Sequence, residues 1–359
     1  MSTTDNARSP IDEVIIGGRA VGSGRRVFVV AEAGVNHDGC VNTALRLVDA
    51  AVDAGATAVK FQVFRADDLV TKDGATAAYQ RGSTGARSQR ELLRGLELSE
   101  NAFQRVAAHC ADRSILFMAT PFSESAVAMI AEMGACAIKI ASTDLVNAPL
   151  LMAAAVSGLP LILSTGASTH GEIHDAVHRL SASGCAKRLV LLHCVSSYPT
   201  PLEALNLRAI STLRRTFGLP CGLSDHTESM HVGGWATAAG ACVIEKHFTL
   251  DRSAPGPDHA MSLAPSELAA YIDRVRGAER ALGSGEIGMT KIEEDVRAVS
   301  RRSIVAACAV SAGSLLEPRM LTTKRPGSGI APTEMDLVVG RRTLVDITPD
   351  EALTWEMLG

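Results

Sequence analysis

The chain has 359 residues, 47% of them hydrophobic and 21% charged, which is the balance of a globular protein with a sizeable core and room for one large and one small domain. A formal charge of −4 leaves no basic surplus for a nucleic-acid partner, and no run approaches the roughly 20 apolar residues that cross a bilayer. Neither nucleic acid nor membrane is therefore expected as a partner. MSTTDNARSP lacks the layout of a signal peptide, so the expected location is the cytoplasm. None of the eight cysteines forms a CxxC pair, and several sit inside apolar runs. They are expected as reduced, buried small hydrophobes and not as a disulfide framework or zinc cage.

In chain order, VIIGGRAVGSGRRVF (14–28) predicts a glycine-turned hairpin that leads into the first strand and closes the bottom of the large domain. Eight short apolar runs then alternate with longer amphipathic stretches. They are VFVVAEAG (27–34), TAVKFQVF (57–64), ILFMATPF (115–122), CAIKIAST (136–143), PLILSTGA (160–167), LVLLHCVS (189–196), PCGLSDHT (220–227) and CVIEKHFT (242–249). Strand-type runs separated by helix-type segments imply parallel βαβ units, and this many units over about 250 residues match a closed (β/α)8 barrel. A doubly wound sheet is disfavoured because no run carries its GxGxxG turn. GSGEIGMTKIEEDVRAVSRR reads as a polar linker, and the tail after it shows short β-type runs with Gly and Pro turns. The expected division is a lead and hairpin at 1–26, an α/β barrel at 27–283, a linker at 284–300 and a small, mostly β domain at 301–359.

Every run turns polar at its C-terminal end, where a barrel places its active site. Side chains two apart on a strand share a face, so Ser224 goes with His226, and Glu245 with His247. Two inward imidazoles, beside Asp225 and Glu245, make a candidate divalent-metal site with positions left for water and substrate. Lys60 and Lys139 lie inside apolar runs, where an unpaired ammonium is expensive. Each is expected to meet an anion. That anion is either Glu32 or Asp144 in a structural salt bridge, or a ligand's phosphate or carboxylate at roughly 1.5–3 kcal/mol per charge-assisted hydrogen bond. Thr120, Ser142, Ser164, Thr165, Gly166 and Ser224 offer hydroxyls and amides at neighbouring strand ends. Glu32 reads either as a base or substrate-hydroxyl contact, or as a partner for one of the lysines.

These strand ends resemble the sialic acid (nonulosonic acid) synthase family. The motifs that carry the resemblance are AEAGVNHDG, AVKFQVF, RSQRELLRGLELS, MATPFS, IKIAS, LILSTGAS, LLHCVSSYPTP, GLSDHT, EKHFT, PGPDH and KRPGSGI, in that order from about Val27 to the C-terminus. The resemblance implies a TIM barrel followed by an antifreeze-like (SAF) domain. It implies condensation of phosphoenolpyruvate with the open-chain aldehyde of an N-acylated amino sugar, giving a nine-carbon 2-keto-3-deoxy acid and phosphate. By position it implies Lys60, Thr120, Lys139, Ser142, Ser164 and Ser224 as phosphoenolpyruvate contacts. It implies His226 and His247 as ligands of a divalent metal, Mn2+ first, with Mg2+ or Co2+ as alternatives. Glu32, Tyr198 and Asp258 then meet the sugar, and Arg325 reaches its N-acyl group in the partner subunit's site. Glu32, Lys60, Lys139, His226 and His247 form the expected catalytic set, with Glu32 taking a proton from the water that adds at C2. Asp144 stands where such synthases often have Glu, and Ser196 where N-acetylneuraminate synthases often have Asn, both on the acceptor side. N-acetylmannosamine is the first choice of acceptor. A 2,4-diacetamido-trideoxyhexose, for a legionaminate- or pseudaminate-type acid, is next, and another phosphoenolpyruvate-using 3-deoxy acid synthase is the remaining alternative. A tail that serves a neighbour's site implies a homodimer with exchanged C-terminal domains.

Overall fold

A computed structural model describes residues 11–71 and 88–359. The first ten residues, on which the expectation of no leader rests and with which the lead begins, lie outside the described residues, as does Arg87 of the RSQRELLRGLELS motif. Strands β1 (Glu13–Ile16) and β2 (Arg19–Gly22) pair antiparallel across Gly17 and Gly18, whose φ of 53° and 76° are those a tight two-residue hairpin turn requires. Alternation sends Val14, Ile16 and Val21 to one side of the hairpin. There they pack against Phe28, Val30, Met118, Ile162, Val190 and Val243 of the barrel interior. The hairpin thus seals the end of the barrel away from the strand C-termini.

Each of the eight runs is a strand: β3 (Phe28–Gly34), β4 (Ala58–Val63), β5 (Leu116–Pro121), β6 (Ile138–Ile140), β7 (Leu161–Ser164), β8 (Leu189–Cys194), β9 (Cys221–Asp225) and β10 (Val243–His247). All are parallel, and β10 pairs with β3 to close the barrel. The sequence pattern explains the closure. Outward residues such as Val29, Ala31, Phe61, Leu163, Leu191, Leu223 and Ile244 join helix residues Leu47, Val48, Phe103, Val106, Leu268 and Val275 in one continuous core. Inward residues are apolar in the lower half of each strand and polar in the upper half. Helix starts are fixed locally: Ser99, Ser123 and Thr169 accept the amides of Ala102, Ala126 and Glu172. Among the described residues no helix is long and apolar enough to cross a membrane.

One polar pair is built into the outer layer. Lys246 Nζ lies 3.1 Å from Asp225 Oδ2, and the hydroxyl of Tyr271, on helix Pro265–Leu282, donates to the same oxygen at 2.8 Å. Asp225 therefore faces the helices and not the imidazoles with which the sequence pattern groups it. It is one residue out of phase with Ser224 and His226.

The chain divides into two compact units after Ser284. In the second, β11 (Ser303–Ala306) pairs antiparallel with β12 (Leu321–Lys324) over a separate core of Ile304, Val310, Leu316, Ile330, Val338, Ile347 and Leu353. The stretch expected as a linker contains a one-turn 3-10 helix (Lys291–Glu293) and helix Glu294–Ser300. Thr290 and Glu293 cap that turn reciprocally, a local signal that composition masks. Cys110, Cys185, Cys194, Cys221 and Cys242 are buried and free, Cys136 is half-buried, and Cys40 and Cys308 are exposed.

Candidate active site

The upper interior of the barrel opens into a cavity of about 710 Å³. Neighbouring strands bring its polar side chains together in register: His247 stands beside Glu32, Glu32 beside Lys60, and Glu245 beside Ser224. Both lysines are only 3% exposed. Lys60 Nζ lies 2.8 Å from Glu32 Oε2 and 3.6 Å from Glu245 Oε2, and donates to Thr120 Oγ1 at 2.9 Å. Lys139 Nζ lies 3.7 Å from Glu245 Oε1 and donates to Ile140 O at 3.3 Å. Of the two possible internal counter-ions, Lys60 thus meets Glu32 and neither lysine is paired with Asp144.

The two carboxylates differ in electrostatics. Burial pushes the Glu32 carboxyl up, Lys60 offsetting it only in part and the charge of Glu245 adding to the rise. Burial acts on Glu245 too, but Lys139 and Lys60 together outweigh it and hold that group below the usual carboxylate range, helped by a hydrogen bond from Ser224 Oγ at 2.8 Å. The two carboxylates are thus shifted in opposite directions. Ser142 and Ser164 line the same space, and Ser164 Oγ is buried with no hydrogen-bond partner among the described residues.

The imidazoles of His226 and His247 face each other across 5.5 Å between ring centroids, and the Tyr198 ring lies 4.2 Å from His226. His226 Nδ1 donates to Val195 O at 2.8 Å, and its Nε2 lies 3.3 Å from Ser224 Oγ. Burial holds His247 well below the usual imidazole range, and its Nδ1 is buried without a hydrogen bond among the described residues, 4.0 Å from Asp258 Oδ2. Two imidazoles of this kind fit a borderline divalent ion. No group of three His, Cys, Asp or Glu at metal spacing occurs among the described residues.

Asp258, Ser196 and Tyr198 also line the cavity. Asp144 is not among the lining residues; its carboxylate accepts from Asn147 Nδ2 at 2.9 Å, in the turn before helix Ala148–Val156. Arg325 belongs to the second unit, where it is exposed. Gln62 and Cys194 are among the lining residues that sequence reasoning passes over. Gln62 Nε2 donates to Glu32 Oε1 at 3.4 Å. Its signal is present, because Gln62 stands two residues after Lys60 on the same face.

Comparison with known proteins agrees with this geometry. The NeuB family profile matches residues 47–287 and the SAF domain profile residues 301–359. The chain is 41% identical to the N,N'-diacetyllegionaminic acid synthase of Legionella pneumophila over 93% of this chain and 95% of that one. It is 37% identical to the Campylobacter jejuni synthase of the same name over 92% and 99%. Among solved structures, the N-acetylneuraminic acid synthetase of Leptospira borgpetersenii, in complex with citrate, superposes with a TM-score of 0.72 at 35% identity, covering 80% of this chain and 96% of that one. The chain is an enzyme of the NeuB family with a C-terminal SAF domain.

Proposed function

We propose that the protein condenses phosphoenolpyruvate with the open-chain aldehyde of an N-acylated amino sugar, releasing phosphate and a nine-carbon 2-keto-3-deoxy acid. One observation carries this reading. Two buried lysines, the Ser164 hydroxyl and the Glu32 carboxylate, which is ion-paired to Lys60, converge beneath a pair of imidazoles at the C-terminal end of a barrel. Lys60 and Lys139 hold the phosphate and carboxylate of the enol substrate, with Thr120, Ser142, Ser164 and Ser224 completing the cradle. The enol carbon attacks the aldehyde, and cationic character develops at C2. Glu32 takes a proton from the water that adds there. The lysines hold the tetrahedral adduct while the C–O bond to phosphate breaks. A divalent ion held by His226 and His247 would supply Lewis-acid polarisation of the aldehyde. Mn2+ suits the two imidazoles, with Mg2+ or Co2+ as alternatives.

For the acceptor we propose a 2,4-diacetamido-trideoxyhexose, ahead of N-acetylmannosamine. The two relatives named for diacetyllegionaminic acid are 41% and 37% identical to this chain over 92–93% of it, against 31% for the human N-acetylneuraminate-9-phosphate synthase. We also place the catalytic domain at 27–283 and the SAF domain at 301–359, with Arg325 completing the partner subunit's acceptor site in a homodimer. The test is incubation of the full chain with phosphoenolpyruvate, Mn2+ and each sugar in turn, following phosphate release and product mass. Release with a diacetamido sugar supports the reading. Release only with a four- or five-carbon aldose phosphate would sink it.

A further inference from the structure

The motifs AEAGVNHDG and PGPDH contain more polar residues than the proposed chemistry uses, and the fold brings the surplus together. Strands β3 and β10 are neighbours, so the loops that leave their upper ends run side by side. His259, in the loop after β10, is buried between them. Its Nε2 donates to Asp38 Oδ1 at 3.0 Å, in the loop after β3, and its Nδ1 lies 2.6 Å from Thr249 Oγ1, just past the end of β10. Both ring nitrogens are thus engaged, one on each loop. Asn36 reinforces the tie, with its Nδ2 donating to Phe248 O at 2.8 Å and to Ser262 Oγ at 3.0 Å.

Asp258 is the residue before His259. Its main-chain carbonyl accepts from Ser262 Oγ at 2.6 Å, so the turn bearing it is fixed from both sides. Its carboxylate is turned toward Gly34, where an added Cβ would stand 3.5 Å from Asp258 Oδ2 and 3.4 Å from Glu32 Oε1. Two further details show that the arrangement is built closely. Asp38 occupies the left-handed region with φ of 51°, a conformation unusual for a residue with a side chain. Gly256 leaves room for the ring, because a Cβ there would come within 2.5 Å of His259 Cδ2.

We infer that His259 is a positioning residue: held between Asp38 and Thr249, it ties the loop after β10 to the loop after β3 and so fixes Asp258 at the acceptor side of the cavity. Removing the tie leaves the lysine cradle intact, because Lys60, Lys139 and their partners sit on the strands and not on these loops. The loss therefore falls on the acceptor and not on phosphoenolpyruvate. Supporting side chains of this kind commonly account for about 10- to 100-fold in function.

The inference rests on the synthase reading for its kinetic arm but not for its structural one. Asp38 is half-exposed, so its variants are expected to fold. D38G removes the carboxylate while suiting the left-handed backbone, and D38N keeps an oxygen that can accept from Nε2. In full-length protein without ligands, D38G and H259A should exchange the amide hydrogens of residues 251–262 faster than wild type, with D38N intermediate or unchanged. In turnover, D38G should raise KM for the acceptor sugar about 10- to 100-fold while calorimetric affinity for phosphoenolpyruvate stays at the wild-type value. Unchanged exchange together with unchanged acceptor KM in D38G would overturn the inference. So would equal weakening of phosphoenolpyruvate and acceptor, which would mark a general structural prop. If wild type turns over no acceptor, the synthase reading falls, and the exchange measurement still decides the tie.

Discussion

At the scale of single residues, Glu32 and Glu245 share Lys60 but are shifted in opposite directions, Glu245 lying within ion-pair distance of both lysines and Glu32 of Lys60 alone. The division of labour predicts different phenotypes. Glu32→Gln keeps the shape and the cradle, so phosphoenolpyruvate binding should survive while kcat falls about 10²- to 10⁴-fold, the usual share of a general base. Single-turnover kinetics beside calorimetry checks this; near-normal turnover would remove Glu32 from the mechanism. His37 makes a separate prediction about pH. Burial, opposed only weakly by Asp38, lowers its imidazole from 6.5 to about 4. A depressed base binds its proton less tightly when folded, so its stabilisation is complete above pH 6.5 and is lost as pH falls toward 4, amounting to roughly 3 kcal/mol at 1.36 per unit. Denaturant melts across that window should fall less steeply for His37→Gln than for wild type.

These residues are unequally legible. Lys60, Lys139, His226 and His247 stand out because a polar group in an apolar run needs a reason, and strand alternation says which of its neighbours share its face. Asp144 does not yield to that logic. It sits past the end of β6 in a turn, where no period governs direction, and its carboxylate bonds Asn147 instead of lining the cavity.

At the scale of elements, the eight strands and the hairpin can be read directly, because each strand is short, apolar and punctuated by turns. What the pattern does not state is which outward polar residue is a structural pin. Asp225, Lys246 and Tyr271 form one, joining β9 and β10 to helix Pro265–Leu282 across the barrel wall. A phenol that donates to a buried carboxylate is worth about 1.5–3 kcal/mol. Tyr271→Phe should therefore lower the unfolding free energy by that amount while leaving both substrate affinities unchanged. Loss of activity at full stability would show that the pin reaches into the active site. The helix at Glu294–Ser300 escapes a sequence reading for a different reason. Glycine-rich surroundings dominate the composition, and the capping pair Thr290 and Glu293 spans too few residues to stand out.

At the scale of the whole molecule, the two units hold separate cores, one around the barrel and one around Ile304, Leu316 and Leu353. A chain ending at Ser284 should therefore fold, with circular dichroism and cooperative melting like those of the barrel. If the SAF domain supplies Arg325 to a partner's acceptor site, this chain should lose nearly all turnover while still binding phosphoenolpyruvate. Full activity would end that role.

The hairpin floor has a kinetic consequence. With Val14, Ile16 and Val21 stoppering the lower end, the barrel is a well with one mouth. Lys60 and Lys139 lie within it, 3% exposed, while Ser196 is open to solvent. Molecules in a well leave in the reverse of the order in which they arrived. If the two lysines hold phosphoenolpyruvate, it should enter ahead of the sugar, and phosphate should leave after the sugar acid. Product-inhibition patterns should accordingly show phosphate competing with phosphoenolpyruvate and not with the acceptor.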